Sequence, residues 1–203
     1  MPFKIYHPEV LPAKAPVIIW SHGFGGNRDG AAFLSRYVAS YGYILAHLTH
    51  QGTDSSLWEG KEGHPWDILR KAEITRETSI HRFRDVPFAL DQLEHWAKEN
   101  PEVGDIMDLS TLGMSGHSFG ALTAQIMAGQ LYPDLNETLT RMKEERFKAA
   151  IAYSMNPITH LTDASPEELY GPIDIPVLYM TGTEDSSPIS GNSYEYRLPL
   201  YEH

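Results

Sequence analysis

The residues with the clearest chemical potential are Gly116-His117-Ser118-Phe119-Gly120. An apolar strand-like run, Leu109 to Met114, precedes them, and a helix-forming run, Ala121 to Ala128, follows. A serine on a sharp strand-to-helix corner has its hydroxyl lifted clear of the sheet, beside the free N–H groups and positive dipole end of a helix. The residues two before and two after it then crowd together, so only small residues fit there, and Gly116 and Gly120 meet that need. Such a serine suits attack on a carbonyl with an oxyanion forming nearby.

A second stretch complements the first. The continuous apolar run Pro16-Val17-Ile18-Ile19-Trp20 reads as a central parallel strand covered on both faces. It leads into Ser21-His22-Gly23-Phe24-Gly25-Gly26-Asn27-Arg28, where glycines let backbone approach a substrate and the Phe24 N–H can face a developing alkoxide. A dinucleotide phosphate loop is disfavoured, because Arg28 stands where the third glycine of G-x-G-x-x-G would fall.

A serine hydroxyl needs a histidine base, and the histidine an acid to fix its tautomer. In strand–helix folds with this corner, the acid follows the serine and the base comes last. The acid of choice is Asp185, on the loop leaving the strand Ile175 to Met180; Asp163 is the fallback. Downstream of it the one histidine is the terminal His203, and residues 186–202 are too few for the helix and strand that normally intervene. The expectation is therefore that the base lies beyond this chain, with His203 a minor candidate. His117 should point to the other side of the corner, His22 reads as a structural loop residue, and His160 comes in the wrong order. His47 and His50 read as satisfied strand-end histidines rather than metal ligands.

The elements that must position these groups alternate strand and helix, which means a mostly parallel central sheet with helices on both faces, an α/β fold. Strands are expected at Lys4 to Tyr6, Tyr43 to Leu48 and Lys148 to Met155, and helices at Ala31 to Ser40 and from about Asp85 to Asn100, with Pro87 in the first turn. Arg82, Arg84 and Asp85 read as an ion pair or cap at that end. Asp134 to Arg146 reads as a surface helix, and Ser165-Pro166-Glu167-Glu168 as a helix start. Residues 55–80 form an irregular segment, either one wall of a pocket or a solvated insertion. The whole, 1–203, reads as one domain.

The chain has 203 residues, a net charge of −11 and no cysteine. Acidity argues against nucleic acid and anionic membrane partners, and the lack of cysteine excludes disulfides, thiolate nucleophiles and Cys-ligated zinc. No apolar run reaches membrane-spanning length and the N-terminus lacks the apolar region of a signal peptide, so the default location is cytoplasmic. Nothing sets the oligomeric state.

Together, Ser21-His22-Gly23-Phe24-Gly25-Gly26, Gly116-His117-Ser118-Phe119-Gly120 and Met180-Thr181-Gly182-Thr183-Glu184-Asp185-Ser186-Ser187-Pro188 resemble the α/β-hydrolase superfamily. The likeness is to its dienelactone-hydrolase-like and platelet-activating-factor-acetylhydrolase-like esterases, and it runs from about Val17 to Pro188. The resemblance implies an α/β-hydrolase fold, incomplete at its C-terminal end. It also implies Ser118 as nucleophile, Asp185 as acid, the N–H groups of Phe24 and Phe119 as oxyanion hole, a small-molecule ester as substrate, and no cofactor or metal. The sequence departs from the acetylhydrolases in offering Tyr153 and Ser154 where they carry an acid. Phe24, Phe119, Met155 and Trp58 or Trp66 are the expected acyl-pocket residues. The rival expectation is a non-catalytic domain that binds a small ligand or partner in the same cleft.

Overall fold

A computed structural model describes residues 2–201. His203, the minor candidate for the base, lies outside the described residues. The main sheet has six strands: β1 (Phe3–Tyr6), β2 (Ala15–Ser21), β3 (Ile44–Leu48), β4 (Met107–His117), β7 (Phe147–Tyr153) and β8 (Val177–Met180). Their spatial order is β1-β3-β2-β4-β7-β8, parallel throughout except for β1, which runs antiparallel to β3.

Alternation along the strands splits the core. Val17 and Ile19 of β2 and Ile44, Ala46 and Leu48 of β3 face a large cluster that includes Phe83, Leu90, Leu93, Ala124 and Ile126. Ile18 and Leu45 face the opposite side, where Val38 and Ala39 of α1 (Ala32–Ser40) pack with Tyr6. Helices α3 (Arg76–Glu99) and α5 (Phe119–Ala128) thus cover one face and α1 the other. Short helices α2 (Pro65–Leu69), α4 (Pro101–Gly104) and α6 (Pro166–Tyr170) complete the set; the last has a full capping box between Ser165 and Glu168.

The expected start of the long helix and the segment after α5 both need correction. The helix begins at Arg76, with Thr75 as its N-cap, so Pro87 sits well inside it. An interior proline costs about 3 kcal/mol. Phe83, Val86, Leu90 and Leu93 on the same helix are all at most 1% exposed, and each is worth roughly 1.5–3 kcal/mol on burial. Packing therefore carries the helix through the proline. Residues 134–146, expected as a surface helix, instead follow and form a hairpin of β5 (Leu131–Pro133) with β6 (Leu139–Arg141). Asp134 Oδ1 accepts from the amides of Asn136 and Thr138, and Glu137 adopts φ 66°, which closes a turn in place of a helix. No helix among the described residues is long and apolar enough to cross a membrane.

Candidate active site

Parallel pairing brings the C-terminal ends of β2, β4, β7 and β8 to one edge. Ser21 pairs with Gly116, Gly116 with Ala152, and Tyr153 with Met180. One residue further on, the Ser118 amide donates to Tyr153 O and the Ser154 amide to Met180 O, both at 2.8 Å. Ser118, Ser154 and the loop carrying Asp185 are therefore neighbours along the edge, although far apart in sequence.

Ser118 forms the corner between β4 and α5 with φ 55° and ψ −116°, an unfavourable conformation for a residue with a side chain. The glycines are required on distance alone. A Cβ on Gly116 would lie 2.3 Å from Gly120 O, and one on Gly120 would lie 1.9 Å from Ser21 O. The serine corner is thus packed directly against the end of β2, which leads into the loop bearing Phe24. Among the described residues, no acceptor takes the N–H of Phe24 or that of Phe119, the first residue of α5.

The orientation of the Phe24 N–H follows from its peptide plane. The carbonyl of that plane is Gly23 O, held by the His22 ring Nδ1 at 2.7 Å and by the Gly26 amide at 3.0 Å. Because the peptide is trans, pinning the carbonyl on one side turns the N–H to the other. The His22 tautomer is set in turn: the His50 amide donates to its Nε2 at 3.0 Å, so Nδ1 carries the proton. Burial and the nearby Arg82 charge lower the His22 pKa to about 3, so the ring is neutral. His22 was expected to be a structural loop residue, and these contacts say what it holds.

Asp185 faces the same cleft as Ser118. Its Oδ2 accepts from Thr181 Oγ1 at 2.8 Å, and Arg197 donates to its backbone carbonyl at 2.8 Å. Burial works to raise its pKa, but hydrogen bonds from Ser154 and Thr181 and the Arg197 charge outweigh it and hold the carboxylate ionised. Ser154, one of the two residues standing where the acetylhydrolases carry an acid, instead hydrogen-bonds the Asp185 carboxylate on the loop after β8.

His117 corrects an expectation. It borders the cleft together with Ser118 and Asp185 rather than facing the other side. The left-handed turn at Ser118 breaks the strand alternation that would have separated them. Its pKa is lowered by the surrounding cleft walls, with Asp185 opposing and Arg197 reinforcing the shift. Among the described residues no histidine hydrogen-bonds the Ser118 hydroxyl.

Two cavities, each of about 520 Å³, meet at Ser118 and share Phe24, Ser187 and Ile189. The first is lined by Trp20, Trp58, Pro65, Trp66 and Leu69, so part of residues 55–80 forms a wall of the cleft. The second is lined by Phe119, Leu122, Tyr132, Ile158 and Leu161. Met155, expected in the pocket, is 2% exposed and belongs to the main core. His47 and His50 each have both ring nitrogens engaged, by Ser35 and Arg28 and by Ser21 and Asp85 respectively.

This strand order, the serine corner at its edge and the Gly-rich loop beside it define the α/β-hydrolase fold. Solved structures share it: a Pyrococcus horikoshii acylaminoacyl peptidase is 18% identical with a TM-score of 0.57, covering 98% of this chain and 32% of the peptidase. A ferulic acid esterase from Streptomyces cinnamoneus is 22% identical with a TM-score of 0.59, covering 94% of this chain and 47% of the esterase.

Within that class the sequence is similar to the platelet-activating factor acetylhydrolases. The family described as platelet-activating factor acetylhydrolase, isoform II, matches residues 4–60. The Bos taurus platelet-activating factor acetylhydrolase is 24% identical over 204 residues, covering 86% of this chain and 41% of that protein. The chain spans less than half the length of these relatives.

Proposed function

We propose that this chain carries the nucleophile, acid and oxyanion site of a serine-dependent carboxylic ester hydrolase, within a single domain. Ser118 Oγ attacks the ester carbonyl while its proton passes to a histidine base. The N–H groups of Phe24 and Phe119 hold the resulting oxyanion, and Asp185 orients the base. Collapse of the tetrahedral species breaks the bond to the leaving alkoxide, which takes the proton. Water then attacks the acyl-enzyme by the same route and returns Ser118 to its starting state. A small-molecule ester would divide between the two cavities, one holding the acyl group and the other the alcohol. No cofactor or metal takes part in this scheme.

The observation that carries the reading is a serine held at φ 55° beside two backbone N–H groups without acceptors. Strain of this kind costs on the order of 1–3 kcal/mol and persists where function requires it. The similarity to esterases and acetylhydrolases supports the same chemistry. A second reading, a non-catalytic domain that binds a ligand in this cleft, is favoured by one observation: among the described residues no histidine bonds to Ser118. Ester turnover by the full product of the gene that disappears in Ser118→Ala, with ligand binding and unfolding midpoint retained, is the expected result. Turnover that survives the substitution rejects Ser118 as the nucleophile, and a folded, unaltered protein with no turnover rejects the enzyme reading.

A further inference from the structure

Behind the oxyanion loop lies a buried polar network that the proposed chemistry does not use. At its centre is Arg82, on α3 and 1% exposed. Nε donates to Thr123 Oγ1 at 3.0 Å, Nη1 to Thr53 Oγ1 at 2.7 Å, and Nη2 to Ser21 Oγ at 2.8 Å and to His22 O. The guanidinium also lies 4.6 Å from the centre of the Phe119 ring.

The partners fall into two sets. Ser21 and His22 lead into the loop that carries the Phe24 N–H, and Thr53 holds the same loop, its carbonyl accepting from the Gly25 amide at 2.8 Å. Thr123 belongs to the first turns of α5, and its hydroxyl donates to Phe119 O at 3.0 Å, so it is tied to the residue carrying the other N–H. One side chain therefore spans both halves of the oxyanion pair.

The remaining groups hold that side chain in register. Ser21 Oγ accepts from Arg82, so its own proton goes to His50 Nε2 at 2.9 Å. His50 then carries its proton on Nδ1, which donates to Asp85 Oδ2 at 2.9 Å. The connectivity is that of a Ser–His–Asp triad, yet Ser21 is fully buried and its oxygen already accepts from a guanidinium, so it is no nucleophile. What the relay does is link the buried Arg82 cation to the Asp85 carboxylate, which a desolvated charge needs.

We propose that Arg82 is a positioning residue whose guanidinium fixes the spacing of the Phe24 and Phe119 N–H groups, with Ser21, His50 and Asp85 holding it in place. This rests on the reading of Ser118 as a nucleophile flanked by those donors. Losing one donor of an oxyanion pair costs on the order of 10²–10³ in rate, and a guanidinium that spaces both acts on the same step. Uniform substrate binding in the cavities is untouched.

The test compares Arg82→Met and Arg82→Lys with the unaltered protein, each made as the full product of the gene, in hydrolysis of a nitrophenyl ester, in phosphonate labelling of Ser118, and in amide exchange at Phe24 and Phe119. Arg82→Met is expected to lower kcat on the order of 10²-fold with KM moving by less than about threefold. Arg82→Lys, which keeps a cation and donors, should recover at least about tenfold of that loss. An unchanged kcat overturns the proposal. So does activity lost only in proportion to the unfolded fraction, with Lys no better than Met. If the unaltered protein neither turns over nor labels, the reading of Ser118 fails and exchange decides the positioning role. Faster exchange at both Phe24 and Phe119 in Arg82→Met, reversed in Arg82→Lys, supports it; unchanged exchange at either overturns it.

Discussion

Acidification should destabilise this fold steeply, because it buries histidines in their neutral form. His22 is 3% exposed and His47 fully buried, with pKa values lowered by burial to about 3 and about 4 from an ordinary 6.5. Below pH 6.5 the unfolded chain takes up protons that the native rings refuse, so stability is full above 6.5 and falls as pH drops through the interval. Between pH 7.5 and 4.5 each histidine costs about 2.5 kcal/mol, taking 1.36 kcal/mol per pKa unit, and together about 5 kcal/mol. His50, fully buried and shifted the same way, adds to the loss. Asp85 opposes it: burial raises its pKa to about 6, so native Asp85 takes up a proton as pH falls through that value. Its side chain is 31% exposed, and solvent screening limits the return to below about 2 kcal/mol. The net expectation is a loss of about 3 kcal/mol or more, from a total that is typically 5–15 kcal/mol. Urea unfolding at the two pH values measures it directly. The sharper form uses His47→Gln, on the α1 face and away from Ser118. That variant should lose about 2 to 3 kcal/mol of the pH dependence. Stability that is flat or rising toward pH 4.5, or a variant as acid-sensitive as its parent, refutes the reasoning.

Other outcomes follow from the same geometry. Gly120→Ala places a Cβ 1.9 Å from Ser21 O, a backbone atom; calorimetry should show a loss of about 3 kcal/mol or more, and phosphonate labelling should fall with it. Pro87→Ala restores an N–H inside α3 and should raise stability by about 1 to 3 kcal/mol in urea unfolding; a lowered midpoint contradicts the account of that helix. Asp185→Asn removes the ionised acid, and ester hydrolysis by the whole gene product should drop by up to about 10⁴-fold in kcat, whereas an equal rate would move the acid elsewhere.

The strand-to-helix corner at Ser118 was legible in the sequence because its causes are local. Gly116, Ser118 and Gly120 lie within one turn of chain, and the strand before and helix after them are contiguous with it. Strands β2, β3, β7 and β8 could be read for a similar reason, since each is a short apolar run bounded by turn residues. The start of α3 was not legible, because Pro87 reads as a helix beginning unless the packing of Phe83 and Val86 is known. The hairpin at 131–141 was hidden by charged residues that suit a helix surface, and its deciding contact is the Asp134 side chain closing a turn. The network around Arg82 lay furthest from view. Its members come from β2, the loop after β3, α3 and α5, so no spacing in the sequence links Ser21, His50, Arg82 and Thr123. Arg82, Arg84 and Asp85 suggested an ion pair or cap at a helix end, whereas they lie inside α3 and the link from Arg82 to Asp85 runs through Ser21 and His50.

The most direct test of Ser118 as an activated nucleophile is the intact mass after incubation with an organophosphonate ester, on this chain and on the full product of its gene. Arrival of one phosphonyl group on the peptide containing Ser118, lost in Ser118→Ala, is the predicted result for the full product. Labelling of this chain as well would mean that its own residues supply the base. No adduct on either folded chain, or an adduct that persists in Ser118→Ala, would contradict the account.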